Sequence, residues 1–219
     1  MFVGHYALGF AAKRAEPAMP LWVSLAAAQW LDIVWPLFVL TGIERVEVAP
    51  GDTAFTPLAF VHYPWSHSLV MSIAWGVAFA AVVRALGASW RVASICGALV
   101  VSHWVLDFAS HRPDMPLWPA GPSFGLGLWR SVPATLAIEL TMFGIGVALY
   151  ARATRARDRV GTIAFWSLAF FLLGLYLIAA VAPPPPSARA VASSGIALWL
   201  IPLWGYWIER HRNARTAPQ

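Results

Sequence analysis

The sharpest chemical pattern in this 219-residue chain is Ser102-His103-Trp104-Val105-Leu106-Asp107, followed by His111. Residues four apart on a helix stand one above the other, so His103 and Asp107 project together. His111 continues that face if the helix runs so far, and Pro113 stops it soon after. A row of imidazole, carboxylate and imidazole suits a zinc-like ion, which binds nitrogen and carboxylate oxygen at about 2.0–2.2 Å. The other reading of the same spacing is a His–Asp hydrogen bond that locks two helices together.

A second run is His62-Tyr63-Pro64-Trp65-Ser66-His67-Ser68. Pro64 argues against a regular helix through it, and Ser66 or Ser68 is placed to cap the helix that follows. Both His62 and His67 are candidate ligands. The competing reading is an interfacial loop in which Tyr63 and Trp65 anchor at headgroup level. Asp32, in Trp30-Leu31-Asp32-Ile33-Val34-Trp35-Pro36, and Glu139, in Ala137-Ile138-Glu139-Leu140-Thr141, are lone carboxylates in apolar surroundings. Such a group is protonated, paired or bound to a cation. Glu139 can be a ligand, a general base or a helix–helix hydrogen bond. The 13 tryptophans read as interface and packing residues.

The elements that must carry these residues are membrane helices. Of the chain, 59% is hydrophobic and 11% charged, against about 25% charged in an ordinary soluble domain. Crossing a bilayer takes about 20 apolar residues at 1.5 Å each. Such runs occur at residues 20–42, 67–86, 90–108, 132–150, 162–181 and 190–208. The expectation is an all-α polytopic bundle of about six spans, with kinks at Pro36 and Pro202, forming a single membrane domain over residues 1–219. Cys96, the lone cysteine, offers no internal disulfide and reads as a small buried residue.

Orientation follows from basic charge. With the N-terminal segment cytoplasmic, Lys13, Arg14, Arg84, Arg91, Arg152, Arg155, Arg157, Arg159, Arg210, Arg212 and Arg215 share its side. Only Arg45, Arg112, Arg130 and Arg189 face the other. Both termini are therefore expected in the cytoplasm, and the net charge of +5 is anchoring charge, not a nucleic-acid footprint. Counted at about 1.5 Å per residue from the outer helix ends, His67 and Asp107 lie near the surface, with His103 and Glu139 roughly 8–10 Å in. Asp32 lies about 15 Å in by the same count. All five fall in the outer half, which reads as one site. The first twelve residues are apolar, but their charges follow instead of preceding, unlike a cleavable signal. His5 lies eight residues before Lys13. As a helix that is about 12 Å, which brings His5 to the depth of Asp32. The expectation is a short helix inserted into the bundle with His5 close to Asp32; the alternative is an amphipathic helix lying in the interface.

These residues resemble a known family. Gly4-His5, the His62–Ser68 turn, Ser102-His103 through Asp107, and Pro116-Leu117-Trp118-Pro119 are similar to the pattern of bacterial inner-membrane proteins described as membrane-bound metal-dependent hydrolases, the YdjM-like family. That pattern has an N-terminal His, a Pro-Asp-x-Asp stretch, a His-Arg-Gly-x-Thr-His-Ser turn, and a Ser-His-x-x-x-Asp helix followed by a Pro-Leu-Trp-Pro-like segment. The resemblance covers roughly the first 120 residues. It departs at Val34, where the family has a second Asp, and at Tyr63-Pro64, where it has Arg-Gly. A looser similarity, of spacing only, links the His-x-x-x-Asp element to zinc-dependent phospholipase C enzymes.

The resulting expectation is a hydrolase with zinc, or manganese, held by His67, His103, Asp107 and Asp32, with His5, His62 and His111 as further candidates. Glu139 is the expected general base. A site at headgroup depth points to an ester or phosphoester of a lipid or lipid-linked molecule, reached from the outer side of the inner membrane. Two other classes compete. A proton- or ion-coupled transporter would use the same residues as a relay, but a relay needs ionisable groups toward both faces. A non-catalytic membrane subunit would keep the helices and a degenerate metal site, as Val34 suggests.

Overall fold

In the computed structural model, which describes residues 1–215, an inserted helix lies at the centre of the bundle. Helix α1 (Val3–Ala15) buries Val3, Gly4, His5, Tyr6, Ala7, Gly9 and Phe10. Its most extensive neighbour is α7 (Val132–Ala153), where Gly146 lets the Ala7 backbone pass directly against the helix. Tyr6 and Phe10 join Phe143, Tyr150, Phe165 and Leu168 in one of two apolar cores. At its far end Lys13 is buried, with Nζ donating to Glu209 Oε1 at 3.0 Å and to the Met19 carbonyl at 2.7 Å. The expected inserted helix is therefore present.

The apolar run at 20–42 is two helices, α2 (Leu21–Ala28) and α3 (Trp30–Leu40), bent by 55°. The break falls at Gln29, whose φ of −105° and ψ of 8° leave the helical region. Pro36, the expected kink, sits inside α3 instead. An antiparallel hairpin follows, β1 (Arg45–Val48) with β2 (Leu58–His62). Pro64 does not prevent a helix, as expected from sequence, but opens the single turn α4 (Pro64–His67), since the first helical position needs no amide hydrogen. Ser68 breaks from α4 and caps α5 (Leu69–Ala85), its Oγ accepting from the Met71 amide at 3.3 Å.

Ser89 caps α6 (Trp90–Ser110), and α5 and α6 pack closely where Gly76 meets Gly97, the small-residue contact by which membrane helices approach. Two short strands, β3 (Met115–Pro116) and β4 (Ser123–Phe124), pair before α7. Strand β5 (Thr154–Ala156) leads into α8 (Arg159–Val181), capped by Asp158. Helix α9 (Ala188–Gly195), a 3-10 turn at Ile196–Trp199 and α10 (Leu200–Arg210) follow. The 3-10 turn precedes Pro202, which has no amide to continue an α-helical ladder. Strand β6 (Arg212–Ala214) returns to pair with β5.

The count of six spans is not confirmed. Among the described residues, four helical stretches are long and apolar enough to cross a membrane: Trp90–Ser110, Val132–Ala153, Arg159–Val181 and Ala188–Arg210. The bent pair α2–α3 makes five. The 17 residues of α5 reach only about 26 Å, short of a ~30 Å core, because the chain turns at Ser68 before the run begins. Exposed Ile163, Phe170, Ile178 and Val181 on α8 and Val77 and Val82 on α5 are what lipid-facing surfaces require.

Candidate metal centre

Helix α6 presents His103 and Asp107 on one face, fully and almost fully buried, as their spacing predicts. Asp107 Oδ2 lies 3.2 Å from His103 Nε2 and 3.8 Å from His67 Nε2. Asp32 Oδ1, from α3, lies 3.3 Å from His67 Nε2 and 3.7 Å from His103 Nε2. Four ligands about 2.05 Å from a tetrahedral ion stand about 3.3 Å from one another. These four separations bracket that value, and the ligand atoms form two groups that share His103, one holding Asp107 and the other Asp32 and His67, either of which could hold an ion.

The hydrogen bonds behind the imidazoles decide which nitrogen faces that point. His103 Nδ1 donates to the Ala28 carbonyl at 2.9 Å. That carbonyl is free because the break at Gln29 removes the backbone donor that a continuous helix would bring to it. Behind His67, Nδ1 is 2.7 Å from Ser66 Oγ, and Ser66 Oγ is 2.6 Å from Glu44 Oε2. The carboxylate can only accept, so the hydroxyl donates to it and accepts from Nδ1–H. In their neutral forms both rings therefore turn an unprotonated Nε2 toward carboxylate oxygens. His103 Nε2 is buried without a hydrogen-bond partner despite its proximity to Asp107. Neutral rings facing anionic oxygens need a positive charge between them, a proton on Nε2 or a metal ion, and this nitrogen and carboxylate donor set fits a divalent ion.

His5 completes the group from α1. Its ring stacks on His103 with centroids 3.6 Å apart and planes at 4°, and its Nε2 is 3.1 Å from Asp107 Oδ1. The direct partner of His5 is thus Asp107, while Asp32, expected close to His5, approaches the His103 ring on which His5 stacks. Its Nδ1 is buried and unpartnered. The ligand atoms of His5, His103 and Asp107 fall within 4.8 Å of one another, as do those of Asp32, His67 and His103. The Met1 amino group pairs with Asp107 Oδ1 and donates to Ser110 Oγ at 3.0 Å. Gln29 Nε2 donates to Asp32 Oδ2 at 2.6 Å. Asp32, its side chain 25% exposed against 4% or less for the other four, is where the group opens outward.

Other candidates lie elsewhere. His62 is exposed on β2 and enters neither cluster. His111 follows the last residue of α6 and is turned away by an extended backbone. Its Nδ1 is 3.0 Å from Asp114 Oδ1, an oxygen that also accepts from Tyr63 at 2.9 Å, while Arg112 binds Asp114 Oδ2 at 3.0 Å and pairs with Asp52. Burial opposes ionisation of Asp114, but the hydrogen bonds from His111, Arg112 and Tyr63 hold its carboxyl below the usual range. Glu139 is fully buried on α7, and its Oε2 accepts from the Phe2 and Gly4 amides at 2.8 and 3.2 Å. It thereby caps α1, and its Oε1 remains buried without a partner. Trp65 is exposed, as an interfacial anchor should be.

Glu44 and Gln29 had no signal in the sequence. Gln29 is a lone polar residue inside an apolar run and Glu44 is one of several charged residues in the stretch Glu44–Glu47, and nothing in the spacing ties them to His67 or Asp32.

The family model described as YdjM inner membrane protein matches residues 1–185. No curated protein and no solved structure matches the chain.

Proposed function

We propose that this chain, which belongs to the YdjM inner membrane protein family, is a membrane-embedded, divalent-metal-dependent hydrolase. Membership and the apolar helices make it a multi-pass inner-membrane protein. The activity rests on one observation: the Nε2 lone pairs of His67 and His103 converge on the carboxylates of Asp32 and Asp107 at 3.2–3.8 Å.

The roles follow from the geometry. His67 and His103 are neutral nitrogen ligands, and Asp32 and Asp107 supply two negative charges that balance a dication. Zinc fits the nitrogen and carboxylate donors best, with manganese the alternative. A bound ion of this kind lowers the pKa of a water ligand from 15.7 to about 7. His5 holds the second oxygen of Asp107 and is available as a further ligand. Glu139 remains the proposed general base on the strength of its buried, unpartnered Oε1 alone, since it caps α1 and enters neither ligand group. Asp32 forms the entrance. With both termini in the cytoplasm, that entrance lies in the outer half of the membrane, where an ester or phosphoester of a lipid or lipid-linked molecule presents its scissile bond.

A second reading has a specific observation behind it. Four protein ligands on one ion would leave it no open position, as in a structural zinc site, and Val34 stands where the family pattern has an acid. A non-catalytic subunit would bind metal and turn nothing over. Metal analysis of detergent-purified protein, followed by phosphodiester and carboxylester lipid assays, separates the cases. Near-stoichiometric zinc or manganese with turnover supports the hydrolase; metal without turnover on either lipid class favours the structural site. Absence of retained or rebound metal overturns both.

A further inference from the structure

We infer that Glu44, through Ser66, fixes the tautomer of His67, making it a positioning residue of the metal centre. The inference rests on the metal-site reading above, but its structural part can be tested without metal.

The turn α4 begins after Tyr63, whose side chain provides no cap. Its first amides need acceptors from elsewhere. Glu44, just before β1 and 3% exposed, reaches across and spends both oxygens on one residue. Oε1 accepts from the Ser66 amide at 2.8 Å, and Oε2 accepts from the Ser66 hydroxyl at 2.6 Å. The hydroxyl then has only lone pairs left to offer His67 Nδ1 at 2.7 Å. A proton must sit on Nδ1, so the neutral ring leaves Nε2 bare toward Asp32 and Asp107. Carboxylate, hydroxyl and imidazole form a chain with one hydrogen-bond direction, comparable to the carboxylate partners that orient ligand histidines in metal proteins.

A carboxylate is required because it accepts twice and never donates. An amide at position 44 cannot meet both Ser66 donors. Its NH2 either opposes the Ser66 amide or donates to Ser66 Oγ. In the second case the hydroxyl turns to donate to Nδ1, and the proton of His67 moves to Nε2, where it blocks ligation. Glu44→Gln is therefore nearly isosteric and yet reverses the chain. Ser66→Ala removes the link, while Ser66→Thr keeps the hydroxyl.

The test uses full-length, detergent-purified protein stripped of metal and labelled with 15N in the imidazoles, His67 being assigned by its absence in His67→Asn. Wild type and Ser66→Thr should show His67 with protonated Nδ1 and bare Nε2, and Glu44→Gln should show the reverse. Titration with zinc should then find affinity lowered about 10–100-fold in Glu44→Gln and Ser66→Ala, with Ser66→Thr near wild type. Thermal unfolding of the metal-free variants controls for simple loss of fold. A wild-type His67 protonated on Nε2, or a Glu44→Gln protein with unchanged tautomer and zinc affinity, overturns the inference. The tautomer decides the relay even where zinc does not bind, so failure of the metal reading is distinguishable from failure of this one.

Discussion

At the scale of single residues, the ligands that share a helix were the legible ones. His103 and Asp107 are four apart, and helix geometry alone aligns them. Asp32 and His67 are 35 positions apart, and sequence tied them only by assigning both to the outer half of the membrane, at depths about 15 Å apart; the structure brings them to a 3.3 Å approach. What could not be read is the layer behind them. The partner of His103 is a backbone carbonyl, and that of His67 is Ser66 backed by Glu44, which in sequence looks like its solvated neighbour Glu47. The placement of His62 gives a direct contrast. His103→Ala should reduce bound zinc from near one equivalent to near none, whereas His62→Ala, altering an exposed strand residue, should leave metal content unchanged. Equal loss in both would mean that the ion is not where the four separations put it. Asp114 gives a separate pH prediction. Its carboxyl is held below the usual range in the folded protein, so its contribution to stability is present above the unfolded value of about 3.9 and disappears as pH falls through the lowered folded value. The thermal stability advantage of wild type over Asp114→Asn should therefore be full at neutral pH and gone in strong acid. An advantage that persists undiminished there would refute the assignment.

At the scale of elements, the decisive piece is α1, because it delivers His5. Its insertion was legible from the spacing of His5 and Lys13, whose charge had to stay at one end. Its exact neighbour was not, since nothing in a helix period says which of several apolar helices a segment will choose. The choice is visible in glycine. A Cβ on Gly146 would lie 2.4 Å from the Ala7 carbonyl oxygen, a backbone atom that cannot swing aside, while a Cβ on Gly144, two positions away on α7, meets nothing within 4 Å. Gly146→Ala should therefore push α1 off α7, lower stability by about 1–3 kcal/mol and weaken metal binding through displaced His5. Gly144→Ala should be neutral or slightly stabilising, since alanine favours helix. Thermal unfolding and zinc titration of the two single variants are the measurement, and similar behaviour of both would remove the close α1–α7 crossing. The break at Gln29 carries a parallel lesson. Proline drew attention to position 36, but the bend at Gln29 is the one that frees the Ala28 carbonyl for His103, and a glutamine inside an apolar run gives no local sign of it.

At the scale of the whole molecule, composition fixed the environment while the number of crossings depended on where helices begin. Residues 67–86 are apolar throughout, but His67 belongs to α4 and Ser68 to a cap, leaving α5 at 17 residues. The hydrogen-bonding needs of the site thus shorten that run. The proposed orientation can be tested independently of the count, because α8 has 23 residues, about 35 Å of helix and enough to separate two aqueous faces. Its start follows Arg152, Arg155 and Arg157, and its end meets the prolines at 183–186, which cannot continue a helix. Positive charge concentrates at the first end, which the proposed orientation therefore places in the cytoplasm. Cysteine placed at Ser187, which is exposed, should react with a membrane-impermeant thiol reagent on intact spheroplasts. Cysteine placed at Ala151 should react only after the membrane is opened. Native Cys96 is fully buried and should contribute little background. Reaction of both from the same side would mean that α8 does not cross, and with it would fall the assignment of Asp32 to an outer entrance.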